Sequence, residues 1–550
     1  MSRPVPADLL LTGARIHTVD PDLPEAEALA VYDGRIAWVG SDADAEEWAG
    51  PRTERIDAGG KLVLPGFIDA HNHVRLGSDD ACVQLAGVRT LEGILDRIGE
   101  WREAHPDAAW IEAEAFDYSA IPGGRMPTAA DLDPATGDLP AIVLSYDVHT
   151  AWLNTAALRR LGVTRTRTDL PFGTAAVDPG TGEPTGFVTD FAVKGLSRDG
   201  HRALRDLGVP WASVDRQYGR LAKSLDDAIG YGITTVVEPQ NSLDDLELYE
   251  RARAEGRLRS RIVAALFHPR GTTEEDLDLF AATARVYAGD RLRVGPLKLY
   301  IDDVVEPRTA ALLEPYTGCG AHRGETFYPA EEFAELLAGL DARGFQCFVH
   351  ATGDRGIRTV LDAVARAREV NGPRDARHQV VHVECLDPAD VPRFAALGVV
   401  ACMQPRHCAP EIAGPGQDWA ENVGEERWHK AWPMRSLHEA GAVLAFSSDW
   451  NVAEMDPMIG IYTAVTRRPL GGGEPWQPGE TVDVATAVHG YTMGSAYANF
   501  LEADRGSLTA GKAADFVVLS RDILAVPAEL IPGTVAETVV VAGEVVHRHG

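Results

Sequence analysis

The chain is short of lysine, of paired cysteines and of long apolar runs, and each shortage excludes something. Only six lysines occur among 52 basic residues, against 82 acidic ones, so the formal charge is −30. Such a surface repels phosphate backbones and anionic bilayers, which argues against nucleic-acid and membrane partners. The six cysteines (Cys82, Cys319, Cys347, Cys385, Cys402, Cys408) are scattered, with no C-x-x-C pair. That pattern gives neither a zinc knuckle nor a disulfide framework and fits a reducing cytosol. No run of about 18 apolar residues is present, and the apolar stretch in MSRPVPADLLLTGARIHTVD is too short for a signal peptide. A soluble, cytoplasmic protein is expected.

What is present is ordinary globular material: 45% hydrophobic, 24% charged and 7% aromatic residues over 550 positions. At roughly 150 residues per domain, this length allows three or four domains or one large barrel with appendages. Residues 8–64 alternate apolar and polar between D-G and G-G turns, the pattern of a small β module. GSLTAGKAADFVVLSRD and AETVVVAGEVVHRHG repeat that texture at the other end, so one β-sandwich from both termini (1–65 and 500–550) is expected. Between them, ITTVVEP, VGPLKLYID, FQCFVHA, QVVHVE, VVACMQP and VLAFSSDW are continuous apolar runs, which suit parallel strands buried on both faces. With LVLPGFIDAHNH and one strand from 110–147 they make eight, the count of a (β/α)8 barrel over 66–499. AWIEAEAFD and AIVLSYDVH compete for the second strand. The Pro/Gly-rich stretch of about 119–210 is too long for an ordinary loop and reads as an insertion.

The chemistry gathers at strand ends. His71 and His73 in H-N-H share one side of the first strand, because side chains alternate with period two. Two imidazoles on one face can hold a metal ion, although an isolated H-x-H is as readily a polar strand end. His350 ends FQCFVH, His382 lies near the end of QVVHVE, and Asp449 ends VLAFSSD, the positions where a barrel collects catalytic groups. Lys298 sits inside an apolar strand of a chain that otherwise uses arginine. One reading pairs it with Asp302 or Glu238. The other uses what arginine cannot do: a desolvated lysine loses its proton and adds carbon dioxide, giving a carbamate whose oxygens bridge two cations.

GFIDAHNHV, LKLYIDD, HATGD, the His382 segment with DVPRFAALGVVACMQPRH, SSDW and GSLTAGKAADFVVL together resemble the amidohydrolase superfamily, specifically its family 3 metal-dependent hydrolases. DVHTAWLNTAAL resembles a segment of the family's insertion. The resemblance spans nearly the whole chain and implies a (β/α)8 barrel flanked by a β-sandwich from both termini. It further implies that His71 and His73 hold the more buried metal, that carboxylated Lys298 bridges, that His350 and His382 hold the outer metal, and that Asp449 caps the site. The implied cofactors are two divalent ions, zinc first, with iron or manganese as alternatives. They would lower the pKa of a bridging water and polarise a substrate carbonyl, with Asp449 as proton carrier. Val380-Val381 stand where the family carries isoleucine and glutamate, and Asp303 where it carries glycine; these positions bear on the substrate pocket.

Secondary candidates are His149, Glu238, Arg406 and His407 for substrate contact and Asp354 for orienting His350. Glu238 is also the alternative partner of Lys298, and Trp419, Trp428 and Trp432 form either a pocket wall or core. The expected activity is hydrolysis of non-peptide C–N bonds in small N-acyl or N-formyl amides. Cyclic amides or ureas, deamination, and a barrel kept for binding alone stand as alternatives. The partner is a small molecule, and a homo-oligomer is allowed.

Overall fold

The computed structural model describes residues 5–77 and 79–550, so the first four residues of the expected 1–65 module and Ser78 lie outside it. Its centre is an eight-stranded parallel sheet. The strands are β1 (Phe67–Asp69), β2 (Ile233–Asn241), β3 (Arg261–Phe267), β4 (Leu292–Tyr300), β5 (Cys347–Ala351), β6 (Gln379–His382), β7 (Val400–Met403) and β8 (Leu444–Phe446). Every residue of β2, β3, β5 and β6 is buried, as continuous apolar runs covered on both faces require. The sheet curls until its first and last strands meet, where Ala70 N–H donates to Phe446 O (3.2 Å) and Asp449 N–H to His71 O (2.8 Å). This is a (β/α)8 barrel with its helices outside.

One strand differs from the sequence expectation. Neither AWIEAEAFD nor AIVLSYDVH enters the barrel: Ile111–Phe116 and Ala141–Ser145 pair with each other in a separate seven-stranded sheet. The missing barrel strand is β3, whose R-I-V-A-A-L-F run begins on a charge and carries two alanines, weak strand formers. Glu238 therefore lies on the second strand, not the third. The inserted sheet starts at Val83, upstream of the expected 119, and ends at Thr189. It holds apolar cores of its own, built around Leu153, Phe172 and Phe191 and around Ile94, Phe116 and Trp152.

Strands from both chain ends share a further sheet, with Phe516–Leu519 antiparallel to Leu62–Pro65. Against it packs a four-stranded sheet from the N-terminal segment, around Leu11, Ile16, Val31, Val63, Phe516 and Val540. In HATGD, Gly353 is sterically required, since a Cβ there would lie 2.2 Å from the Ala311 carbonyl oxygen.

Candidate metal centre

His71 and His73 follow β1 directly, and their Nε2 atoms face each other at 3.3 Å. Both look at Asp449 Oδ1, at 3.1 and 3.3 Å. Asp449 comes from the loop after β8 and takes a left-handed backbone (φ 57°), as does His382 after β6 (φ 80°). Non-glycine residues pay for that conformation, and such strain collects at functional sites. The arrangement is locked by Asp69 at the end of β1. Its carboxylate accepts from Ser448 Oγ–H (2.6 Å), Ser448 N–H (3.0 Å) and Asn72 Nδ2 (2.9 Å), stapling the first strand to the eighth. Sequence reasoning missed Asp69, although the D-x-H spacing in FIDAH is the signal for it.

Lys298 on β4 is 1% exposed, and among the described residues no carboxylate lies within ion-pair distance of it. Both proposed partners are engaged elsewhere. Asp302 accepts from the backbone N–H groups of Ala311 (2.9 Å), Thr352 (3.1 Å) and Gly353 (3.0 Å). Glu238 faces Arg75 Nε (3.4 Å) and accepts from Tyr249 O–H (3.3 Å). Burial, only partly offset by the Asp449 carboxylate, pulls the Lys298 ammonium down to about 8. His350 and His382 line the same cavity as His71, His73, Lys298 and Asp449, with the His350 and His382 ring centroids 4.4 Å apart.

The electrostatics suit a cation. Burial, aided by the Lys298 charge, lowers His71 to about 3, and burial keeps His73, His350 and His382 below the ordinary imidazole range. All four are neutral at physiological pH, with lone pairs to give. Burial works against the Asp449 charge, yet its contacts with the His71 and His73 rings hold this carboxyl well below its usual range. His71 Nδ1, His73 Nδ1 and Asp449 Oδ1 are buried without a well-formed hydrogen bond. His71, His73 and Asp449 offer ligand atoms within 4.8 Å of one another, and so does a second trio, His382, Glu384 and His407. Unsatisfied buried imidazoles and carboxylates around one small cavity fit a divalent-metal centre.

The secondary candidates separate. His149, from the inserted segment, pairs through Nδ1 with Asp303 and stands beside His350 at 5.2 Å between rings. Burial opposes its charge, but Asp303 carries it to about 9. The departure at Asp303 thus has a partner, 154 residues away in sequence. His407 joins the site, with Nε2 3.8 Å from Asp449 Oδ2. Glu238 stands behind the centre, 4.0 Å from His73 Nδ1, and burial lifts its carboxyl to about 7. Arg406 is ion-paired to Glu454 (2.8 Å) and Glu411 (2.6 Å) in an outer cavity of about 360 Å³. Asp354 does not orient His350. It accepts from Leu313 N–H (2.7 Å) and Lys430 Nζ (2.8 Å), while His350 Nε2 faces the Asp303 carbonyl at 3.2 Å. Trp419, Trp432 and Trp476 stack into the core, centroids 4.9 to 6.4 Å apart, and Trp432 also walls the cavity.

Known proteins resemble this chain over nearly its whole length. The amidohydrolase family matches residues 54–547. The protein LONG AFTER FAR-RED 3 of Arabidopsis thaliana is 31% identical over 94% of this chain and 87% of its own length. The N-substituted formamide deformylase of Arthrobacter pascens is 29% identical over 94% of each chain. Among solved structures, a metal-dependent hydrolase from Pyrococcus horikoshii OT3 superposes with a TM-score of 0.71 at 22% identity, covering 94% of this chain and 99% of that one. The chain belongs to the amidohydrolase family. It is a hydrolase of the metal-dependent amidohydrolase class, acting on carbon–nitrogen bonds.

Proposed function

We propose that the protein hydrolyses small N-acyl or N-formyl amides, releasing a carboxylic acid and an amine in the cytoplasm. The supporting observation is the convergence of His71, His73, Lys298, His350, His382 and Asp449 on one cavity at the C-terminal ends of the barrel strands. The formamide deformylase likeness over nearly the full length of both chains points to the substrate class. His71 and His73 would hold the inner ion, carboxylated Lys298 would bridge, and His350 and His382 would hold the outer ion. Two divalent cations held there, zinc first and iron or manganese otherwise, would supply a water of lowered pKa and a polarised carbonyl.

The chain's own groups do the rest. Asp449 Oδ2, turned from the imidazole pair toward His382 at 3.7 Å, takes the proton of the attacking water. It delivers that proton to the leaving nitrogen as the new C–O bond forms and the C–N bond breaks, so acid and amine leave with the atoms of one water shared between them. His149 and His407 flank the space a substrate must enter and are its contacts. Arg406 and Glu238 serve further out and behind. The six unpaired thiols support a reducing compartment. No described helix is long and apolar enough to cross a membrane.

The test is a screen of the metal-reconstituted protein against formamides, acetamides, N-acyl amino acids and cyclic ureas, reading amine and ammonia release. Turnover concentrated on formamides and simple acyl amides is the expected result. Preference for cyclic ureas or ammonia-releasing substrates would overturn it.

A further inference from the structure

The cavity that leads to the metal centre sets carboxylates among apolar side chains, and its carboxylates outnumber the cations available to them. Asp117, Glu306, Glu411, Asp418 and Glu454 line the outer part, and Asp147, Glu306, Glu384 and Asp449 the inner part, where His149 is spent on Asp303; Tyr146, Glu306, Ile412 and Val452 belong to both. The outer part has two arginines, and both are spent: Arg89 on Asp117, Arg406 on Glu411 and Glu454. Among the described residues, no lysine or arginine nitrogen lies within ion-pair distance of Glu306, Glu384 or Asp418. Arg308, a cation near Asp418, instead donates to Asn422 Oδ1 at 2.7 Å.

A second observation at the same place points to a ligand. The His407 side chain is 9% exposed, and its Nε2 has no hydrogen-bond partner although it faces the space beside Asp449. Its other ring nitrogen lies 3.9 Å from Glu384 Oε1, so the neighbouring carboxylate favours the proton on Nδ1. Nε2 then presents a lone pair. Glu384, 8% exposed, has Oε2 taken by Trp419 Nε1–H at 3.1 Å, which leaves Oε1 toward the cavity. Glu306, Glu384 and His407 present unmet acceptors there, the Trp432 indole N–H is, among the described residues, the one unmet donor beside them, and no unpaired cation is among them. Charging unpaired carboxylates in a half-enclosed cavity is costly, and burial together with the Glu384 charge lifts the Glu306 carboxyl well above its usual range, so a ligand must supply the counter-charge. Ile412, Val452 and Trp432 give the apolar wall that an alkyl chain needs.

The geometry points to substrates whose nitrogen substituent ends in an ammonium group, with Glu306, Glu384 and His407 receiving its N–H donors and the apolar wall covering the linking chain. This proposal rests on the amide-hydrolase reading and names its substrate class. The overall charge of −30 works in the same direction, by raising the local concentration of cations near the mouth.

The experiment compares N-formylputrescine, N-pentylformamide and N-formyl-γ-aminobutyrate, matched in length and differing in terminal charge, on the zinc-reconstituted enzyme. The expected order of kcat/KM is cationic over neutral over anionic, with a cationic-to-neutral ratio of at least about ten, the scale of one charge-assisted hydrogen bond. Glu306→Gln and added salt should each shrink that ratio. A ratio near one, or preference for the anion, overturns the proposal. If none of the three is hydrolysed, the formamide reading falls, and calorimetric titration of the same enzyme with pentylamine and with pentanol decides the charge question. Tighter binding of the amine sustains it, and equal binding overturns it. A third equivalent of zinc that disappears in His407→Ala would also overturn it, because the acceptors would then belong to a metal ion.

Discussion

At the residue scale the proposed ligands were legible because each stands in or at the end of a strand and carries a group that apolar strands otherwise lack. Their chemistry separates by substitution. Lys298→Ala should lose metal and activity together, and short carboxylic acids should partly restore both by replacing the carbamate oxygens. Lys298→Arg should be inactive, since guanidinium stays protonated. With the Lys298 ammonium lowered to about 8, the neutral amine that takes up carbon dioxide is scarce at pH 6 and abundant above pH 8. Reconstitution with zinc and bicarbonate should therefore accelerate as pH rises through about 8 and level off beyond it, as followed by the return of activity. Asp449→Asn keeps its volume and an oxygen for a cation, so metal content should hold while turnover falls about 10²- to 10⁴-fold. What sequence hid at this scale were pairs distant along the chain. His149 and Asp303, or Glu384 and His407, show no pattern until the fold brings them together.

Among the elements, the β1 and β8 ends form one unit, stapled by Asp69 through Ser448 and Asn72. Asp69→Ala strands buried donors that only this carboxylate satisfies, and it should cost on the order of 3 kcal/mol, read from the shift in urea midpoint. Ser448→Ala removes one hydroxyl bond and should cost about 1 kcal/mol. Continuous apolar runs identified seven of the eight barrel strands. The eighth was misassigned because AWIEAEAFD and AIVLSYDVH are themselves strands, and local preference cannot say which sheet a strand will join. Both rejected segments are strands, paired with each other in the inserted sheet.

For the whole molecule, one centre draws on the barrel, while the inserted sheet brings His149 to its edge, so metal binding and global stability are coupled. A cation that binds the folded state and not the unfolded chain stabilises by RT ln(1 + [L]/Kd), about 2.7 kcal/mol when free metal is 100 times Kd. The proposed ligands converge from β1, β4, β5, β6 and the loop after β8, which leaves no local fragment able to keep that affinity on its own. Chelated protein should therefore unfold several degrees below the reconstituted form, with the gap widening as free zinc rises. His71→Ala should melt at the chelated temperature whether or not zinc is present. The metal count belongs to the same experiment: reconstitution with bicarbonate should give more than one equivalent of zinc, and excluding carbon dioxide should lower both the count and the melting temperature. A single equivalent that is indifferent to bicarbonate would remove the bridging role of Lys298, and the site would then be a mononuclear one on His71, His73 and Asp449.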